Sequence, residues 1–195
     1  MGCEVVLASR SPRRIDLLRT VVPDFIVDPA DLDESLPSGG DLDPEAVAAE
    51  LAARKADEVA VRHPNSLVIG ADTVVALDST LFGKPESPGD AERMLHGLSG
   101  KTHRVITAVA FRLRSQSISF DFRETTRVTF RELTHEEISR YVATGEPFDK
   151  AGGYAVQGGA REFVAALSGD YDNVVGLPVT RLKKELKSAG FLAAD

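Results

Sequence analysis

Cysteine, histidine and long apolar runs are all scarce in this chain of 195 residues, and each shortage excludes a class of protein. The single cysteine, Cys3, cannot form an internal disulfide, and its isolation fits a reducing compartment. No stretch approaches the roughly 18 uninterrupted apolar residues that a membrane-spanning helix needs. The four histidines, His63, His96, His103 and His135, show no metal-ligand spacing, which favours packing or surface roles.

Excess positive charge is also missing, since the formal net charge is −7 at pH 7. This balance argues against a general nucleic-acid binder, because no surplus of lysine and arginine exists to neutralise phosphates. It is compatible with a small anionic ligand, which a local cluster of bases and a divalent cation can hold. The N-terminus lacks the features of a secretory signal, so we expect neither secretion nor a membrane partner.

Three common motifs are incomplete. Ser99–Thr102 is similar to the end of a phosphate-binding loop, but Leu95 stands where that loop needs a glycine. Gly158 and Gly159 follow a predicted strand without the other glycines of a dinucleotide-binding turn. No GxSxG sequence marks an esterase. A P-loop, a dinucleotide-binding fold and an esterase are therefore all disfavoured.

Apolar periodicity and turn residues predict a mixture of strands and helices. The predicted strands are Glu4–Ala8, Leu67–Leu77, Val105–Leu113, Ser117–Phe130, Tyr154–Gln157 and Glu162–Leu167. Helices are predicted after Ser11-Pro12, from Asp43-Pro44 to about Arg62, from Ser87-Pro88 to near Gly97, from the capping box Thr134–Glu137, and up to about Gly190. Strict βαβ alternation is absent, so we expect an α/β domain with a twisted mixed sheet flanked by helices.

Asp72 is an acid inside a run, Leu67–Leu77, that otherwise has the composition of a buried strand. A carboxylate removed from water costs several kcal/mol unless it meets a partner, a metal or a proton. Gly70 and Ala71 leave room for another group to approach the backbone. Two interpretations stay open: an ion pair with Lys84, or a metal ligand or general base beside a phosphate clamp.

Basic residues supply two further candidate phosphate contacts. Ser9–Arg14 lies at a strand-to-helix junction, where free N–H groups and the helix dipole favour an anion, although a solvated basic turn is the alternative. Lys55 falls on an apolar helical stripe, so its ammonium either extends to water along the core edge or points into a cleft. Glu34, or its neighbour Asp33, could add a second carboxylate for Mg²⁺. Together these residues fit metal-assisted attack on a phosphate.

Seven segments, in family order, resemble the Maf family of nucleoside triphosphate pyrophosphatases. They are Leu7–Arg14, Lys55–Ala56, Gly70–Val75, Gly83–Pro85, Leu98–His103, Asp149–Gly158 and Val174–Pro178. The resemblance implies a fold like that of the inosine triphosphate pyrophosphatases (Maf/Ham-type), with an elongated α/β body and a central cleft. It also implies a single domain over residues 1–195, which could be divided into two lobes around that cleft.

The resemblance implies a cytoplasmic enzyme, commonly a homodimer, that uses a divalent cation (Mg²⁺ or Mn²⁺) to split a nucleoside triphosphate into monophosphate and pyrophosphate. Asp72 would accept a proton from the attacking water and, with Glu34, help to place the metal. The residues that would hold the triphosphate are Ser9, Arg13, Lys55 and Lys84.

Three positions in this family distinguish its branches, and here they are Arg13, Thr73 and Gln157. This combination resembles the branch that acts on dTTP and UTP, with nucleotide-pool cleaning and arrest of cell division as the implied cellular roles. A glutamine amide can both donate to and accept from a pyrimidine edge. The alternatives are a 7-methyl-GTP pyrophosphatase of the same family and a non-catalytic, nucleotide-binding regulator of septum formation.

Overall fold

A seven-stranded mixed sheet forms the centre of the protein, in a computed structural model that describes residues 3–32 and 43–193. The strands are β1 Val5–Leu7, β2 Ile26–Val27, β3 Leu67–Leu77, β4 Thr80–Phe82, β5 Thr102–Leu113, β6 Ile118–Phe130 and β7 Val164–Ser168. Their order is β2-β1-β3-β5-β6-β7, with β4 paired to β3. β1 is parallel to both β2 and β3, whereas the remaining pairs are antiparallel. The α/β fold with a mixed sheet is thus confirmed.

Helices cover the sheet, and four of the six that the structure describes begin where the capping signals predicted. They are α1 Pro12–Arg19, α2 Pro44–Arg62, α3 Pro88–Leu98, α4 His135–Val142, α5 Tyr171–Val175 and α6 Val179–Ser188. Asp43 and Ser87 accept backbone N–H groups at the starts of α2 and α3, and Thr134 forms a complete capping box with Glu137 at α4. Within the described residues, none of the helices is long and apolar enough to cross a bilayer.

Strand β3 contributes to apolar clusters on both faces of the sheet, because successive side chains of a strand point to opposite faces. Val68 and Val74 pack with α2, whereas Leu67 and Ile69 pack with residues of α1 and α6. A third cluster joins α3 and α4 to the end of the sheet where β5 and β6 meet β7. Asp72 therefore lies in the middle of a strand that is covered on both faces.

The predicted hairpin is confirmed, since β5 and β6 pair from Thr102 to Leu113 around a short 3-10 turn. The predicted strand at 154–157 is wrong. Tyr154 itself is extended, but the backbone N–H of Gly158 donates to the Ala155 carbonyl at 3.1 Å, and this turn interrupts the extended stretch. The last strand begins at Val164 rather than Glu162, because a 3-10 turn occupies Gly159–Phe163.

Candidate active site

A cleft of about 1250 Å³ opens at the centre of the molecule. Its walls come from the turn between β1 and α1, from α2 and β3, and from the segment after β4. Six residues predicted from the sequence to form the site line it: Ser9, Arg13, Lys55, Asp72, Thr73 and Lys84. The fold therefore gathers residues from four separate segments into one space.

Asp72 and Lys55 form a buried ion pair in the cleft wall. The Lys55 Nζ lies 2.6 Å from Asp72 Oδ1, and the two residues are only 4% and 8% exposed. A single buried charge of either sign would carry a large desolvation cost, and each of these two compensates the other. The alternative in which Lys55 extends to water along the core edge is wrong, because its ammonium is buried against Asp72. The site thus contains an oriented carboxylate and a cation in direct contact.

Gly70 explains why α2 can bring Lys55 to this strand. A Cβ atom built on Gly70 would lie 2.4 Å from the carbonyl oxygen of Ala52 and 2.7 Å from the backbone nitrogen of Ala56. The helix backbone therefore rests directly on the strand backbone at the one residue that has no side chain. The prediction that Gly70 lets another part of the chain approach the strand backbone is confirmed, and that part is helix α2, which carries Lys55.

Arg14 lines the cleft and also supports it through hydrogen bonds to three neighbouring segments. Its guanidinium donates to the carbonyl oxygens of Ala71 at 2.8 Å and Gly176 at 2.9 Å. It also donates to Thr73 Oγ1 at 3.0 Å and to Ser9 Oγ at 3.4 Å. These bonds tie the β1–α1 turn to the residues on either side of Asp72.

Arg13 reaches across the cleft to Asp149, with 3.1 Å between its Nη1 and the carboxylate Oδ2. Burial alone would raise the pKa of Asp149, but hydrogen bonds from Lys150 and Arg13 outweigh it and hold that pKa below its usual value. Asp149 therefore stays ionised near neutral pH and orients Arg13. A phosphate could take the place of this carboxylate, because both present oxygens to a guanidinium fork.

Ser9 and Lys84 occupy opposite kinds of environment. Ser9 is 7% exposed, and its Oγ accepts the backbone N–H of Ser11 at 3.3 Å as well as the Arg14 contact. Lys84 follows β4 and is exposed in the cleft lining. A long flexible lysine at the rim suits contact with the outer phosphates of a bound chain, whereas Ser9 can offer only a short, fixed contact.

A smaller pocket of about 50 Å³ adjoins the cleft and contains Gln157. The pocket and the cleft share Arg13, Ala151 and Val175. Two hydroxyl groups hold the segment that leads to Gln157. Tyr154 Oη lies 2.7 Å from His103 Nε2, and Tyr141 Oη accepts the backbone N–H of Ala155 at 3.0 Å.

The structure brings together only two of the three positions that distinguish the branches of the family, Arg13, Thr73 and Gln157. Arg13 and Gln157 line the smaller pocket, but Thr73 lines the cleft instead. The Thr73 hydroxyl is engaged by Arg14 and lies 2.9 Å from Thr107 Oγ1. Thr73 thus takes part in a hydrogen-bonded network beside Asp72.

The predicted metal partner Glu34, with its neighbour Asp33, lies outside the described residues. Within residues 3–32 and 43–193, no group of three or more acids, histidines or cysteines is placed to bind a metal ion. The donor chemistry nevertheless fits Mg²⁺, which proteins commonly bind through one or two carboxylates completed by substrate phosphates. Asp72 supplies one such carboxylate at the cleft surface.

Sequence reasoning missed Asp149, Thr107 and Asn173 as parts of the site, and it included Arg14 only as a possible contact to an anion. Asp149 could have been predicted, because it is the first residue of Asp149–Gly158, one of the segments that resemble the family. Thr107 and Asn173 gave no signal, because a threonine in a strand and an asparagine before apolar residues are common. Their roles depend on contacts between residues far apart in the chain.

The chain is similar to known proteins over nearly its whole length. A family model described as Maf-like protein matches residues 4–189. A dTTP/UTP pyrophosphatase of Koribacter versatilis is 45% identical over 98% of this chain and 97% of that protein. A dTTP/UTP pyrophosphatase of Bacillus cytotoxicus is 47% identical over 93% of each.

Solved structures share the fold at low sequence identity. The Ham1 protein of Staphylococcus aureus superimposes with a TM-score of 0.55 and 15% identity, covering 95% of this chain and 99% of that one. A HAM1 protein from Coxiella burnetii superimposes with a TM-score of 0.52 and 13% identity, again covering 95% of this chain and 99% of that one. The expected Maf/Ham-type fold is therefore confirmed.

Proposed function

The chain belongs to the Maf family, and from that premise we propose that it hydrolyses dTTP and UTP to the monophosphate and pyrophosphate. The activity for which its relatives are named supports this substrate class. The observation that carries the proposal is the buried Asp72–Lys55 pair, which lies in a cleft with Ser9, Arg13 and Lys84. That set combines a proton acceptor with cations for a polyphosphate.

In the proposed reaction, water attacks phosphorus at the α–β linkage. The water oxygen forms the new bond to phosphorus, the bond to the bridging oxygen breaks, and pyrophosphate leaves. Asp72 takes the proton that the water loses. Lys55 holds the carboxylate in place through Oδ1, and Arg13 and Lys84 offset the phosphate charge, which grows as the linkage breaks.

The proposal includes a divalent cation, Mg²⁺ or Mn²⁺, held by Asp72 and Glu34. When bound, the cation would neutralise phosphate charge and polarise the oxygens of the linkage. The base would lie at the smaller pocket, where the Gln157 amide can donate and accept hydrogen bonds and Arg13 can donate them.

We also propose a cytoplasmic homodimer whose partner is a small nucleotide rather than nucleic acid or membrane. The net charge of −7 supports the exclusion of nucleic acid, since phosphate binding there needs an excess of cations. Light scattering after size exclusion tests the dimer, and a mass near the 20.9 kDa of one chain would contradict it.

A nucleotide panel tests the function directly. Pyrophosphate release is measured from dTTP, UTP, GTP, ATP and 7-methyl-GTP with Mg²⁺ or Mn²⁺, for the wild type and Asp72→Asn. We expect dTTP and UTP to be the best substrates and Asp72→Asn to lower kcat by about 10²- to 10⁴-fold.

Asp78→Asn is the matched control, because it makes the same chemical change at an exposed turn residue with a φ of 53°, which asparagine tolerates. It should leave kcat unchanged. Equal activity in the wild type and Asp72→Asn would reject the role of Asp72. Preference for 7-methyl-GTP would reject the pyrimidine assignment, and binding of nucleotides without turnover would favour the regulator.

A further inference from the structure

A buried chain of hydrogen bonds runs from the strand of Asp72 to a short helix near the Gln157 pocket. Thr73 on β3 and Thr107 on β5 are directly paired residues of neighbouring strands. Their hydroxyl oxygens are 2.9 Å apart, and Thr107 donates to the backbone carbonyl of Asn173 at 3.0 Å. Arg14 donates to Thr73 at the other end. Thr107 and Asn173 are both fully buried.

Asn173 is fixed by its side chain as well as by its backbone. Its Nδ2 donates to the Val105 carbonyl at 3.0 Å and to Thr126 Oγ1 at 3.0 Å. Helix α5, which contains Asn173, has only five residues, Tyr171–Val175. A helix this short has little stability of its own, so its position depends on contacts with the sheet. The buried chain supplies polar contacts of that kind.

Helix α5 forms one wall of the Gln157 pocket. Val174 and Val175, the two residues that follow Asn173, line this pocket together with Gln157, and Val175 also lines the cleft. A shift of α5 by a fraction of an ångström would therefore change the width of the pocket. It would not change the contact between Asp72 and Lys55, which lies between β3 and α2.

We infer that Thr107 and Asn173 are positioning residues for nucleobase discrimination. Their hydrogen bonds hold α5 against the sheet and so fix the part of the pocket wall that Val174 and Val175 form. This inference rests on the proposed function, because it places the base in the smaller pocket. It also gives Thr73 a role in base preference without direct contact, through Thr107 and α5.

The decisive measurement is the ratio of kcat/KM for UTP to that for GTP. Thr107→Val removes the hydroxyl that bridges Thr73 and Asn173, and Thr107→Ser keeps it. We expect Thr107→Val to lower the ratio by about threefold to tenfold, the scale of one buried hydrogen bond, and Thr107→Ser to keep the wild-type ratio. The ratio does not depend on the fraction of folded enzyme, so a loss of stability alone cannot change it.

The matched control is Thr102→Val. Thr102 is on the same strand β5 and shares a hydrogen bond with Thr129 of 2.8 Å, but it lines neither the cleft nor the pocket. Its ratio should equal that of the wild type. If Thr107→Val does not fold, Thr107→Ala removes the same hydroxyl without a branched replacement and is measured instead.

Each outcome decides the inference. An unchanged ratio in Thr107→Val, or an equal fall in Thr102→Val, would overturn it while leaving the proposed function intact. A wild type that hydrolyses both nucleotides equally well would overturn it too, since no discrimination would exist to be positioned. A wild type that hydrolyses no nucleotide would reject the proposed function, and the inference with it.

Discussion

The Asp72 centre lies in the cleft and the Gln157 pocket adjoins it, but the two are built differently. Asp72 lies on an 11-residue strand, and Lys55 reaches it from a 19-residue helix, so both ends of the ion pair belong to long regular elements. Gln157 follows 3-10 turns and two glycines with left-handed φ angles. The segment is held by side-chain hydroxyls of Tyr141 and Tyr154 rather than by a strand ladder.

This difference separates catalysis by the charged pair from selection of the nucleotide by the pocket. Packing of α2 on β3 through Gly70 fixes the charged pair to the core, where a change in one residue is felt throughout the fold. The pocket depends on a few hydrogen bonds to turns, each of which contributes about 1 kcal/mol. Substitutions there can change which nucleotide fits without unfolding the protein.

Removal of Lys55 should have the largest effect. Lys55→Met keeps the length of the side chain but leaves Asp72 without its buried cation, so we expect the free energy of unfolding to fall by about 4 kcal/mol. Activity should fall at least about 100-fold, because the carboxylate loses its orienting contact. Urea unfolding and pyrophosphate release measure the two effects. Asp16→Asn breaks an exposed ion pair with Arg19 and should cost less than about 0.5 kcal/mol.

A methyl group at residue 70 should also disrupt the Asp72–Lys55 pair, because it would push the backbone of α2 away from β3. Gly70→Ala would place Cβ 2.4 Å from the Ala52 oxygen, so α2 must move away from β3. We expect a loss of about 3 kcal/mol, together with lower activity as Lys55 is drawn from Asp72. The control, Gly89→Ala, adds the same methyl group in α3 where nothing lies within 4 Å. Equal stability of the two variants would contradict direct backbone packing at Gly70.

His103, which contacts Tyr154 in the segment before Gln157, should make the stability of the protein depend on pH. Burial lowers the pKa of His103 from 6.5 to about 4, and its ring packs against Phe130 and Tyr154. Below pH 6.5 the His103 side chain binds a proton in the unfolded chain, whereas in the folded protein it stays neutral down to about pH 4. Stability should therefore fall as the pH drops through this window, by about 3 kcal/mol, and the contribution should level off below it.

The measurement is urea unfolding between pH 7 and pH 4. His103→Gln removes the titrating ring and should flatten the slope relative to the wild type. Tyr154→Phe removes the hydrogen bond but keeps the ring that buries His103, so it should retain the slope. A slope that Tyr154→Phe abolishes would show that the phenol, rather than burial, sets the titration.

Periodicity and chemistry singled out Asp72 and Lys55 separately but did not pair them with each other. An acid in an apolar strand and a lysine on an apolar helical face both violate the local pattern, and such violations need a partner. The two residues are each other's partner, which the sequence could not specify because nothing local encodes the register of α2 on β3. Gly70 was the one local sign of that contact.

The Gln157 pocket was harder to predict for a physical reason. The apolar pattern from Tyr154 to Gln157 suits a strand, yet the glycines before it set left-handed turns and the Ala155 N–H bonds a tyrosine side chain. Buried polar contacts such as Thr107 to Asn173 join residues 66 positions apart. Their energy comes from long-range geometry, which alternation and capping rules do not report.

Arg14 joins the two regions, and its replacement should have a smaller effect spread over both. Its planar fork donates to Ala71 beside Asp72, to Thr73 in the buried chain, and to Gly176 directly after α5. Lysine keeps the charge but offers a single ammonium that cannot match this geometry. We expect Arg14→Lys to lower the free energy of unfolding by about 2 kcal/mol, the loss of one charge-assisted bond or more.

The UTP to GTP preference should fall together with stability in Arg14→Lys, since the bond to Gly176 ties the end of α5 to the turn that carries Ser9. Arg19→Lys, at the exposed end of the same helix, is the matched control and should change stability by less than about 0.5 kcal/mol. Urea unfolding and the kcat/KM ratio are measured on both variants. If stability fell but the preference did not, the Asp72 centre and the Gln157 pocket would be coupled through Thr107 alone, because the Arg14 contact would then serve the fold and not the pocket.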